Sequence, residues 1–179
     1  MKKYFTGAWA VFKNYLFAMI FFYIFFIGFY SKASLFSIAI FIVMIFLIYS
    51  ELHHLTGVDK RRYGSVKLTD SIIYALIAIA PMVLLQIIIS FLSFESPIIN
   101  FDVLKLNLIK GLAAPMLFIA KLGGYRVSGY IAAWATIVVM SFLGYFAGYK
   151  AFDLNAFIRR LFGLQPKKRP TTNKKRRFW

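Results

Sequence analysis

FDVLKLNLIKGLAAPMLFIAKLGG, residues Phe101 to Gly124, decides how often this chain crosses a membrane. The stretch is apolar enough for a span. Against that, Lys110 would lie near mid-bilayer, where a lysine costs about 2.5–3.5 kcal/mol on the insertion scale. Asn107 and Pro115 add to the penalty. A fifth span would also put the basic end of the chain on the same side as Lys32. With four spans, 17 of the 22 Lys and Arg residues fall on one side, and Lys32, Lys105, Lys110, Lys121 and Arg126 on the other. The positive-inside rule therefore favours four spans, both termini cytoplasmic, and residues 101–122 as an interfacial or re-entrant helix on the outer face.

The composition agrees with a lipid solvent. Of 179 residues, 61% are hydrophobic and 20% aromatic, with a mean hydropathy of +0.72. A water-soluble domain is about half apolar, so this chain carries more apolar surface than a core of its size can hide. The net charge is +16, and there is no cysteine, which excludes disulfides, thiolate metal sites and cysteine nucleophiles. Abundant Phe, Ile, Lys and Tyr are compatible with an AT-rich bacterial genome, so the expected location is a bacterial inner membrane.

Outward from the deciding stretch, the spans are expected at about 8–30, 34–50, 71–94 and 129–149. Twenty-three residues from Ala8 give about 34 Å of helix, enough to cross a hydrocarbon core of about 30 Å. Met1-Lys2-Lys3 resembles the start of a signal peptide, but no small-residue cleavage site follows, so a retained anchor is expected. The brief connection Ser31-Lys32-Ala33 makes the first two spans an antiparallel hairpin. Thr69 is the expected N-cap of the third, with Asp70 favourable in its first turn. After the fourth, Leu154, Phe157, Ile158 and Leu161 follow a helical period, so residues 151–164 are expected to form an amphipathic helix on the cytoplasmic headgroups. The fold class is thus an all-α membrane protein: residues 1–165 form a four-span domain, and 166–179 a basic tail.

That tail, PKKRPTTNKKRRFW, has seven Lys or Arg among fourteen residues and no acid. Arg159, Arg160, Lys167, Lys168, Arg169, Lys174, Lys175, Arg176, Arg177 and Trp179 are the expected contacts to membrane lipid, anionic in particular, or to a partner. Nucleic acid would accept the same charges, but no recognisable nucleic-acid module accompanies them, so it is not the expected partner. A second polar stretch, Glu51 to Asp70, is read as a cytoplasmic loop. In it His53, His54, Lys60, Arg61 and Arg62 are candidate headgroup or phosphate contacts. Adjacent histidines point apart and no HExxH is present, so no metal site is expected.

Chemistry inside the membrane is not indicated. Ser90 and Ser141 have no histidine or carboxylate in any expected span to activate them, and no Walker or Rossmann glycine pattern occurs. No catalytic residue, cofactor or enzyme activity is expected. No charge is expected centrally in a span, which argues against ion-coupled transport. Gln86, Ser90, Thr136 and Ser141 are the residual polar groups, expected to join helices. Gly129, Ala133, Gly144 and Gly148 form a small-residue strip for close helix packing, within the chain or against another subunit.

The expected function is a non-enzymatic subunit or accessory of a membrane complex, alongside another membrane protein or a second copy. The alternative is a small-solute transporter or channel subunit, with a site at Pro81 and Gln86. A 101–122 segment that enters the bundle would favour transport, since broken helices line cavities. A segment lying flat would favour the scaffold.

Overall fold

The computed structural model describes residues 2–26, 28, 33–64, 66–92 and 100–150. Among these the chain is helical, without strands. Four helices are long and apolar enough to cross a membrane: α1 (Lys2–Phe26), α2 (Ala33–Tyr63), α3 (Thr69–Phe91) and α6 (Val127–Tyr149). Between α3 and α6 lie α4 (Phe101–Leu112), a 3-10 turn (Ala114–Met116) and α5 (Leu117–Leu122). The expected amphipathic helix at 151–164 and the tail at 166–179 fall outside the described residues.

Neighbours around the bundle are α1–α2, α2–α6, α6–α3 and α3–α1. The α1–α3 pair starts at one end, where Lys3 meets Asp70 and the Tyr74 ring lies on Gly7. The α2–α6 pair also runs in the same sense, with Tyr49 against Gly144 and His53 against Gly148. One end of the bundle, the basic end, therefore gathers the starts of α1 and α3 and the ends of α2 and α6. The core between the four holds Val11, Tyr15, Met44, Ile48, Tyr74, Met82, Ile137 and Tyr145.

The polar stretch Glu51–Asp70 differs from its reading as a loop. α2 continues through it for thirteen residues to Tyr63, giving 31 residues, or about 46 Å of helix. Its buried positions 44, 48, 52, 55 and 59 keep the helical period straight across the supposed boundary. The helix stops at Gly64, whose φ of +67° is the left-handed conformation that glycine adopts at little steric cost. Lys60, Arg61 and Arg62 in its last turn suit the negative end of the helix dipole.

Two smaller expectations also change. α1 begins earlier than expected, so Lys3 and Tyr4 belong to the helix. Thr69 is not a capping residue: the N-cap position of α3 is Leu68, with no side-chain cap, and it is Ser71 Oγ that donates to the Leu68 carbonyl at 2.6 Å. α3 runs without interruption through Pro81 to Phe91.

The deciding stretch is not one straight helix. α4 and the segment 114–122 are bent by 81° at their junction. Asn100 caps α4, its Oδ1 accepting from the Val103 N–H at 3.3 Å. α4 ends at Leu112, and Pro115, lacking an N–H, cannot continue it. The bend itself is deeply buried: Ala113, Ala114, Pro115 and Met116 sit against α1 and α2.

Candidate functional site: the elbow and its cleft

A helix that stops inside a bundle leaves its last carbonyls without partners. Around this elbow, three are met by side chains from three different long helices. Gln86 of α3 donates through Nε2 to the Ile109 carbonyl at 3.1 Å. The Tyr15 hydroxyl of α1 donates to the Leu112 carbonyl. Ser37 of α2 donates to the Pro115 carbonyl at 3.2 Å, and the same oxygen accepts from the Phe118 N–H at 3.2 Å. Ser37 is fully buried, so it closes both sides of the break with one hydroxyl. Gln86 also accepts at Oε1 from Trp134 Nε1 of α6, at 2.8 Å. The Trp134 ring lies 5.4 Å from that of Tyr15. All four long helices thus hold the elbow.

Beside it opens a cleft of about 650 Å³. Phe22, Phe26, Ala114 and Leu117 supply its apolar wall, and Tyr23, Asn107, Lys110 and Tyr125 its polar groups. The Lys110 ammonium stands 4.5 Å from the centre of the Tyr125 ring, a cation–π contact.

Pro81 and Gln86, paired as a candidate transport site, are not brought together: Pro81 is exposed on the outside of α3 and Gln86 is buried toward the elbow. Neither lines the cleft. Of the other residual polar groups, Ser90 and Thr136 donate to carbonyls of their own helices, Gln86 O and Ala132 O, both at 2.8 Å, rather than joining helices. A hydroxyl on a helix has that acceptor four residues back always within reach. Ser141 is buried.

The small-residue strip is occupied within the chain. A Cβ on Gly144 would stand 3.0 Å from the Cα and carbonyl of Tyr49, and one on Gly148 2.7 Å from the His53 carbonyl and Thr56 Oγ1. Gly129 meets the Ala120 carbonyl in the same way, and Ala133 is fully buried. On the α2 extension His53 stacks on Tyr49, with ring centres 6.2 Å apart, while His54, Lys60, Arg61 and Arg62 are exposed. Arg61 Nε donates to the Gly57 carbonyl at 3.1 Å. Arg159, Arg160, Lys167, Lys168, Arg169, Lys174, Lys175, Arg176, Arg177 and Trp179 lie outside the described residues.

Sequence reasoning missed a second polar constellation at the basic end. Asp59, carried into the bundle by the α2 extension, accepts at one oxygen from both Tyr74 and Tyr145, each at 2.8 Å. Asp70 pairs with Lys3 at 2.5 Å, and Tyr4 donates to its other oxygen at 3.3 Å. Both carboxylates are buried, at 4% and 2% exposure. Both lie at the basic end, Asp59 near the end of α2 and Asp70 in the first turn of α3, away from the central portions of the helices, where no charge was expected. The spacing of Asp59 from Leu52 and Leu55 was the signal that would have found it. Among the described residues no group of three or more His, Asp or Glu is placed to hold a metal ion. Comparison with family models, curated proteins and solved structures finds no match to this chain.

Proposed function

We propose that this chain is a non-enzymatic, multi-pass inner-membrane protein that binds a small solute beside the elbow, as a transporter or channel subunit. Residues 101–122 are then a re-entrant segment entered from the outer side, and both termini are cytoplasmic. The observation that supports this reading is the capping of the three carbonyls of the elbow. In lipid an unsatisfied backbone group costs several kcal/mol, so interrupted helices occur at depth only where protein or a cavity receives them. Helices broken in this manner build the solute sites of many transporters.

Cysteine labelling tests the arrangement, because the chain has no cysteine of its own and every introduced one is a unique reporter. In intact cells D102C and R126C, at either end of the segment, should both react with a membrane-impermeant maleimide added outside. R61C should react only after the membrane is opened. Labelling of D102C and R126C from opposite sides would make the segment a fifth span and remove the proposal.

The accessory-subunit reading is second. It is favoured by the basic stretch Pro166–Trp179, whose charges suit anionic lipid or an acidic partner. Purification in mild detergent separates the two. A stoichiometric protein partner supports the subunit, and a retained small molecule supports the solute site.

A further inference from the structure

Lys110 is half-buried, and among the described residues no carboxylate lies within ion-pair distance of it. Its only described neighbour of opposite character is the face of Tyr125. At the end of α4 the Ile109 and Leu112 carbonyls already accept from Gln86 and Tyr15. A cation in a partly apolar cleft is costly without a counter-charge.

Asn107 and Lys110 stand three residues apart on α4 and so share one face, which both turn to the cleft. At Gly111, one residue on, the missing side chain lets the Tyr23 hydroxyl rest on the backbone. The ammonium, the Asn107 amide and the Tyr23 hydroxyl all offer hydrogen-bond donors here. Among the described residues no acid lines the cleft. Opposite these donors, Phe22, Phe26 and Leu117 form a wall fit for a hydrocarbon or aromatic body. A volume of about 650 Å³ lies within the usual range for small-ligand sites, roughly 300–1,000 Å³.

We infer that the cleft binds an anionic amphiphile, a carboxylate or phosphate head carried on one apolar chain. The head pairs with Lys110 and Asn107 and the chain lies along Phe22, Phe26 and Leu117. This inference rests on the solute-site reading above and supplies its substrate class.

The test uses the full chain in neutral detergent, with oleate, oleyl alcohol and oleylamine as probes in titration calorimetry. Oleate should bind best, because charge-assisted hydrogen bonds are roughly twice as strong as neutral ones. K110Q should weaken oleate roughly tenfold or more and leave oleyl alcohol unchanged, while K110R retains most of the affinity. K121Q, which removes an exposed charge outside the cleft, should leave oleate binding as it is. Thermal unfolding of each variant separates lost binding from lost fold. Repeating the oleate titration in nanodiscs with and without phosphatidylglycerol distinguishes the source. Competition means that a bilayer lipid is the natural occupant, and its absence a free amphiphile. Equal affinity for oleate and oleyl alcohol, or an unaltered K110Q, would overturn the anion preference and leave the solute cleft standing. Failure of all three probes to bind would remove both.

Discussion

At the residue scale the elbow depends on a few hydroxyls and one amide. Ser37 is the sharpest case, since one oxygen serves a carbonyl and an N–H that the break has left without helical partners. S37A removes both bonds and buries two unsatisfied backbone groups. A loss of about 1–3 kcal/mol is expected, read as a lower unfolding temperature in detergent. S37T, which keeps the hydroxyl, should recover part of it. An unchanged S37A would mean that the elbow does not rely on this clasp. None of this was legible beforehand. Ser37 and Pro115 are 78 residues apart and Tyr15 and Leu112 are 97 apart, and nothing in one stretch announces its partner in the other. Gln86 was singled out as the polar group of its helix, but its two partners, on α4 and α6, follow only from the fold.

At the element scale, hydropathy alone located the four long helices, two of which outrun their apolar runs: α1 begins at Lys2 and α2 continues to Tyr63. α2 passes Ser50 because helix continuity depends on which face is buried, not on mean hydropathy. Leu52, Leu55 and Asp59 keep that face toward the core while Glu51, His54 and Lys60 point elsewhere. Reading polarity by window average hid a period that was present in the letters. The small-residue strip of α6 was visible, but not its partner. For Gly129 it is α5, for Gly144 and Gly148 it is α2, and the latter approach is close enough that a side chain at Gly148 has no room. G148V should therefore cost about 1–3 kcal/mol by overpacking. The same substitution at Gly57, which faces open space, should cost nothing, since valine is a better helix former than glycine. Parallel thermal unfolding of the two variants checks this, and equal losses would contradict a tight α2–α6 seam.

For the whole molecule, charge arrangement is the property with the widest reach. The described bundle gathers Lys3, Lys60, Arg61, Arg62, Lys67 and Lys150 at its basic end, and the residues beyond 150 add nine more Lys and Arg. Such a concentration orients a membrane protein and attracts an anionic leaflet, with about 1 kcal/mol per basic residue near the surface. Replacing Lys174, Lys175, Arg176 and Arg177 with glutamine should weaken flotation with phosphatidylglycerol vesicles. The difference should shrink as salt rises, because screening shortens the reach of each charge. Flotation unaffected by the replacement would assign the basic stretch to something other than lipid. In the sequence this charge asymmetry is what favours four spans over five. The order of helices around the bundle does not follow from it, because that order depends on contacts such as Lys3 with Asp70 that hydropathy does not encode.

That pairing of α1 with α3 has a consequence in time. Lys3 and Asp70 are separated by 67 residues, so at roughly 5–20 residues per second a ribosome adds Asp70 some 3–13 seconds after Lys3. Until then Gly7 lacks the Tyr74 ring that covers it in the finished bundle. Lys3 meanwhile lacks the carboxylate that will hold it. The first helix is therefore made well before the residues that fix its place beside α3.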